Sequence, residues 1–235
     1  MSRLPAVALD TVLALDTGGS FCSVALRTTD GVVVYEESEG QGDHFERLPG
    51  IVRRVCTKSG IATSDLKQIR IGVGPGSFTG LRIGMSFAKG LAMTHRIPLV
   101  GVSSFLAVAY ALAQRGSLKV GSVAVISDAR RDEVFMASYA VLGGSVVEQS
   151  PPSIVSVHEL AAWQAAEAGR QVCCSLRDFA PAGVCDVRVE SRIAEGLLAV
   201  EGVDQGPFSL EQVSLLEPTY LRAVAAKSIE ERRGA

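Results

Sequence analysis

Two stretches of this chain follow one plan. "VLALDTGGSFCSVAL" (12–26) is an apolar run, an Asp, a short turn and a second apolar run, and "VAVISDARRDEVFMASYA" (123–140) repeats that logic around Asp128. Each unit makes a strand pair whose apolar faces need their own cover, so the repeat predicts two lobes of similar design. No low-complexity linker separates them.

The first copy reads as a three-strand meander. "TVLALD" is a strand ending at Asp16, "FCSVALR" alternates as a second strand, and Asp30-Gly31 turns the chain into "VVVYEE". A helix opens at Asp43, where Asp43 and Glu46 have capping-box spacing and Phe45, Leu48, Ile51, Val52 and Val55 recur at helical intervals. Pro49 lies inside it and Gly60 ends it. "IRIGVG" is a short strand expected to be buried on both faces. A helix over 79–95 follows, then the strand "PLVGV" and a buried helix in "SSFLAVAYALAQRG", capped by Ser103 or Ser104. The second half adds the hairpin-like "VLGGSVVEQS", a helix near 156–168 and shorter elements, with a frayed tail, "AVAAKSIEERRGA".

The stretch "GVGPGSFTGLRIGMSFAKG" (72–90) crowds glycines before a helix. It fails both standard nucleotide motifs. From Gly74 and Gly76 the third Rossmann position is Thr79, with glycine one place late at Gly80, and no Lys-Ser/Thr pair follows to complete a P-loop. Two readings stay open. Ser77 or Thr79 caps the helix, or the free N–H groups hold an anion. A second feature is the ridge of small residues Gly80, Gly84, Ala88 and Ala92, spaced by four. Such a ridge admits a close neighbour, either another molecule's helix or the chain's own sheet, although Leu81, Met85, Phe87 and Leu91 suit the internal duty better. Asp16 either caps its turn or, with "TGGS", holds a metal and a phosphate tail.

Composition removes several classes. Of 235 residues, 47% are hydrophobic and 20% charged, which suits a packed globular chain. A net charge of −2 argues against a protein that grips nucleic acid by bulk charge. No run of about 18 apolar residues suggests a membrane span, and the start, interrupted by Asp10 and Asp16, is a poor signal peptide. Cysteines 22, 56, 173, 174 and 185 are odd in number without C-x-x-C spacing, which predicts reduced thiols and a cytoplasmic location. His44, His95 and His158 lack the i, i+4 spacing of a metal-binding helix pair.

Taken in order, "LALDTGGSFCSVAL", "GPGSFTGLRIG" with "AKGLA", "PLVGVSSF", "DARRDEVF" and "PTYLR" resemble the TsaB family over residues 12–222. The resemblance implies an α/β chain of two ribonuclease-H-like lobes in the actin-like, hexokinase-like ATPase fold. Mixed sheets would be covered by helices and the second lobe reduced, with lobes at 12–104 and 105–222 and a tail at 223–235. It implies a non-catalytic scaffold subunit that binds and activates TsaD for threonylcarbamoyl transfer to the adenosine beside the tRNA anticodon. TsaD would form a heterodimer with it, TsaE and tRNA would join through the complex, and the chain alone would form a homodimer. The first two helices would meet the partner through Phe45, Leu48, Val52, Gly80, Gly84, Met85 and Ala88. No cofactor is firmly implied. ATP or ADP with magnesium near the partner interface stays open, with Asp16, Gly18, Gly76, Ser77 and Thr79 as its residues. The alternatives are an independent ATPase or small-molecule kinase using Asp16, and a tRNA-binding protein using Arg53-Arg54, Arg130-Arg131 and Arg232-Arg233.

Overall fold

Alternation along one strand sets the layers. In a computed structural model describing residues 10–38, 44–174, 185–188, 192–203 and 206–221, strand β1 (Val12–Asp16) is buried on both faces. Leu13 and Leu15 join one core and Val12 and Ala14 another, as a period of two requires. The side chains of His44, Phe45, Cys174 and Arg188 lie outside the described residues, as do Asp43 and the tail from Arg222 onward.

β1 pairs antiparallel with β2 (Ser23–Arg27), which pairs antiparallel with β3 (Val33–Glu37). It also pairs parallel with β4 (Gln68–Gly72), and β4 with β5 (Leu99–Val102). The sheet order is β3-β2-β1-β4-β5. The second half repeats this. β6 (Gly121–Arg130), β7 (Glu133–Leu142) and β8 (Ser145–Ser156) form the antiparallel meander, while β9 (Gln171–Cys174) and β10 (Val187–Arg188) add in parallel, giving β10-β9-β6-β7-β8. Both lobes are thus ribonuclease-H-like, and the chain has the two-lobed α/β architecture of the actin-like, hexokinase-like fold.

Helices fill the spaces between the sheets. α1 (His44–Ser59) and α2 (Phe78–His95) cover the outer face of the first sheet, burying Leu48, Ile51, Val55, Met85 and Ala88 against Leu15, Leu26 and Ile71. α3 (Ser104–Gln114) is apolar nearly all round because it lies between the two sheets, with Phe105 and Val108 in one core with Val12, Val125 and Tyr139. α4 (Val157–Ala165) covers the far face of the second sheet through Leu160 and opens with a full capping box between Ser156 and Glu159.

Two elements expected in the second lobe return to the first. α5 (Ile193–Ala199) lies over β1, β2 and β4 beside α3, and α6 (Leu210–Leu215) packs on α2. The small Ala14 and Ala25 give α5 its seat, and polar side chains of the sheet satisfy its ends. Ser23 Oγ accepts from Ala194 N at 3.0 Å, and Tyr35 Oη accepts from Arg192 N at 2.9 Å. At the other end the buried Arg70 donates through Nη1 to the carbonyls of Leu197, Leu198 and Val200 at 2.8, 3.2 and 2.9 Å. A cation is favoured there by the helix dipole. Burial, and secondarily Arg27 alongside, pull the Arg70 guanidinium down to about 10. At neutral pH it stays charged.

One correction concerns the thiols. Cys22, Cys56 and Cys173 are free and buried, but Cys185 is disulfide-bonded, contrary to the expectation of wholly reduced cysteines.

α5 can approach α3 only because residue 196 is glycine. A Cβ there would stand 2.0 Å from the Ala107 carbonyl oxygen. Gly196→Val is expected to cost about 3 kcal/mol by overpacking, measured by urea unfolding. An unchanged midpoint would mean the two helices are not held this tightly.

Candidate functional site

The glycine stretch and the Asp16 turn form one structure. Asp16 ends β1 and is 1% exposed. Its Oδ1 accepts from Gly18 N at 3.0 Å and its Oδ2 accepts from Ser104 Oγ at 2.5 Å. Ser104 Oγ also accepts from Gly74 N at 3.1 Å, so one serine ties the Asp16 turn to the glycine loop. Ser103, not Ser104, caps α3, accepting from Leu106 N. The adjacent serines therefore divide two tasks that sequence reading merged, and nothing local reveals a partner 88 residues away.

Four glycines of the stretch press against the turn at residues 16–18. A Cβ at Gly72 would sit 1.8 Å from Asp16 Oδ2, one at Gly76 2.4 Å from Gly18 O, one at Gly80 2.1 Å from Thr17 O, and one at Gly84 2.2 Å from Thr17 Oγ1. Ser77 N donates to Gly18 O at 2.7 Å and Thr17 Oγ1 donates to Gly80 O at 2.8 Å. The glycines let α2 press against the Thr17-Gly18 backbone. Ser77 serves as the N-cap, its hydroxyl accepting from Gly80 N at 3.2 Å, while Thr79 stays exposed. The structure thus brings Asp16, Gly18, Gly76 and Ser77 together as a packed joint, with Thr79 on its outer side.

Charge inside this joint is visible at Cys22. Burial, and after it the carboxylate of Asp16, push the Cys22 thiol up to about 12. Among the described residues no group of three or more His, Cys, Asp or Glu is placed to hold a metal ion. His95 meets Thr63 Oγ1 at 3.1 Å through Nε2, and His158 lies exposed in the first turn of α4.

The equivalent residue of the second lobe has a different environment. Asp128 lies at the β6–β7 turn with its side chain 24% exposed; its Oδ1 accepts from Arg130 N at 2.7 Å, and its Oδ2 lies 3.3 Å from Arg130 Nη1.

The residues expected at a partner surface require correction. Gly80, Gly84, Met85 and Ala88 are buried inside the chain, with Ala88 at 0% exposure, and Leu48 and Val52 are buried too. The small ridge faces the chain's own Thr17 turn and β4, since a Cβ at Gly84 would also touch Ile71 at 3.3 Å. Phe87 and Leu91, assigned to internal duty, are instead only half-buried. They line an apolar groove of about 510 Å3 between α1 and α2, with Pro49, Val52, Cys56 and Ile61. Phe45 is the second residue of α1, but its side chain lies outside the described residues. Sequence reading also missed Arg70, although Gln68 and Arg70 stand two apart on a buried strand and so mark one polar stripe.

This fold and loop arrangement has relatives. A family model described as TsaD, tRNA N6-adenosine threonylcarbamoyltransferase, matches residues 31–181. The chain belongs to this family. Proteins described as TsaB are similar to it: the tRNA threonylcarbamoyladenosine biosynthesis protein TsaB of Escherichia coli is 38% identical over 130 residues, covering 54% of each chain. The protein of the same description from Bacillus subtilis is 34% identical over 142 residues, covering 60% of each. The match thus spans a little over half the length of these curated relatives. A solved structure described as YeaZ from Pseudomonas aeruginosa is 28% identical, with a TM-score of 0.70, covering 91% of this chain and 100% of that one.

Two glycines of α2 separate the joint from the surface. Gly90 is exposed, with nothing within 4 Å of an added Cβ. Gly80→Ala is expected to destabilise the chain by about 2 kcal/mol, because backbone must move. Gly90→Ala should stabilise it by roughly 0.5–1 kcal/mol through helix propensity. Equal shifts of the same sign in thermal unfolding would contradict the packed joint.

Proposed function

We propose that this chain is a non-catalytic subunit in the biosynthesis of tRNA threonylcarbamoyladenosine, binding a TsaD subunit through the α1–α2 face and activating it. The pathway is that of the TsaB proteins it resembles. The observation that carries the reading is the apolar groove between α1 and α2, with Phe87 and Leu91 half-exposed at its wall. Helices of 16 and 18 residues are each roughly 25 Å long at ~1.5 Å per residue. Such a pair offers enough length for a standard interface.

In this reading the chain touches no reacting group. It binds the competent state of TsaD more tightly than the other states and so raises that state's population. The Asp16 carboxylate, held by Gly18 and Ser104, serves the fold. TsaE and tRNA join through TsaD, and the same face makes a homodimer when TsaD is absent. No helix among the described residues is long and apolar enough to cross a membrane. The cytoplasm is the proposed place of action.

Ala88→Arg would bury a charge and unfold the helix, so Gly90→Arg is the informative substitution. Gly90 follows Phe87 by three positions on one side of α2 and has open space outside. The wild-type chain is expected to form a mixed complex with purified TsaD in size exclusion with light scattering. Gly90→Arg should lose that complex while unfolding no lower than the wild-type chain, since arginine favours the helix over glycine. A complex untouched by Gly90→Arg, or ATP turnover by the chain alone that Asp16→Asn abolishes, would overturn the reading.

A further inference from the structure

The β6–β7 hairpin carries backbone strain that its neighbour avoids. Arg130, Arg131 and Asp132 are consecutive residues in the left-handed region, with φ of 70°, 58° and 60°. Arg130 pairs across the ladder with Glu133, which leaves Arg131 and Asp132 as a two-residue turn with both φ values positive. Asn-Gly or Gly-Gly adopts this geometry with little steric cost, whereas residues with longer side chains crowd their own backbone. The next turn of the same sheet uses that relaxed solution: β7 and β8 are joined by Gly143-Gly144, with φ of 58° and 97°. The chain therefore uses glycine at one tight hairpin and Arg-Asp at the other.

Internal contacts among the described residues do not account for the difference: Asp132 O accepts from Val157 N at 3.1 Å, a backbone bond that glycine would make equally well. The Arg130 side chain is 85% exposed and among the described residues meets only Asp128, and an exposed pair of this kind stabilises little. Arg131 and Asp132 are exposed, and no ion pair involves either among the described residues. Asp128 meanwhile fixes both the backbone and the guanidinium of Arg130. Strain that local contacts do not offset is found where the side chains serve an external contact.

Charge decides what kind of partner fits. Asp128 faces Arg130 and Asp132 stands beside Arg131, so the tip carries acids and bases in equal number. A phosphate backbone would meet repulsion as well as attraction there. A protein surface with its own mixed charges suits the pattern, a partner carboxylate meeting Arg131. We propose that the tip of the β6–β7 hairpin is a second docking point for the protein partner, with Arg131 taking a partner carboxylate. This rests on the TsaD-binding reading and adds a contact on the second lobe.

The test uses the full chain and purified TsaD, with R131N/D132G, D132G and Gly90→Arg compared by calorimetric titration and thermal unfolding. R131N/D132G installs the relaxed turn and removes the arginine. It is expected to raise the unfolding temperature by roughly 2–4 °C and to weaken TsaD binding about tenfold. D132G alone should also raise the unfolding temperature but keep wild-type affinity. Wild-type affinity in R131N/D132G, with binding lost in Gly90→Arg, would overturn the hairpin contact and leave the α1–α2 reading standing. No binding by the wild-type chain would remove both. No thermal gain in either hairpin variant would overturn the strain argument. Unchanged TsaD affinity with weakened binding of the assembled complex to a tRNA transcript would overturn it in favour of an RNA contact.

Discussion

The rest of the first lobe depends on how closely the N-terminus of α2 approaches the turn after β1. Thr17 and Gly18 lie against the loop backbone at Gly76 and the helix backbone at Gly80 and Gly84, where any Cβ would stand under 2.5 Å from an oxygen. That contact fixes the seat of α2 on the sheet, and the seat of α2 fixes the groove it shares with α1. The same contact accounts for a glycine-rich loop that matches no nucleotide motif. Its glycines admit the chain's own backbone, and the Asp16 carboxylate is held beneath them by Gly18 N and Ser104 Oγ.

A duplicated sheet leaves two copies of the turn free to diverge. In the first lobe the turn is buried and its Asp organises a packing joint. In the second it is a solvent-facing hairpin whose Asp holds an arginine. α5 then ties the halves together by lying on the first sheet, and Arg70 bonds the carbonyls at its end. A polar group this deep is tolerable because its bonds are made, three of them to carbonyls at the end of α5.

Much of this was legible in the sequence. The period of two in "VLALD" and the Asp-centred repeat predicted the strands and the two lobes, and both sheets have the same strand order. The apolar girth of 104–114 predicted a buried helix because no single face of it is polar. The orientation of α2 was not legible. A ridge at Gly80, Gly84, Ala88 and Ala92 identifies a face for close approach, but its spacing does not say whether the neighbour is the chain's own loop or another molecule. The answer lies in Thr17, far away in sequence. The Asp16–Ser104 bond and the Arg70 bonds to α5 escaped for the same reason: each joins segments that only the finished fold brings together.

Hydrogen exchange on the free chain, diluted until its homodimer has dissociated, and on its mixture with TsaD tests the central claim most directly. The account predicts new protection at 49–56 and 87–94 on adding TsaD, with amides of 16–18 and 74–81 already slow in the free chain and unchanged by magnesium ATP. Fast exchange at 16–18 and 74–81 that slows on adding magnesium ATP without TsaD, with no change along α1 and α2 when TsaD is present, would contradict it.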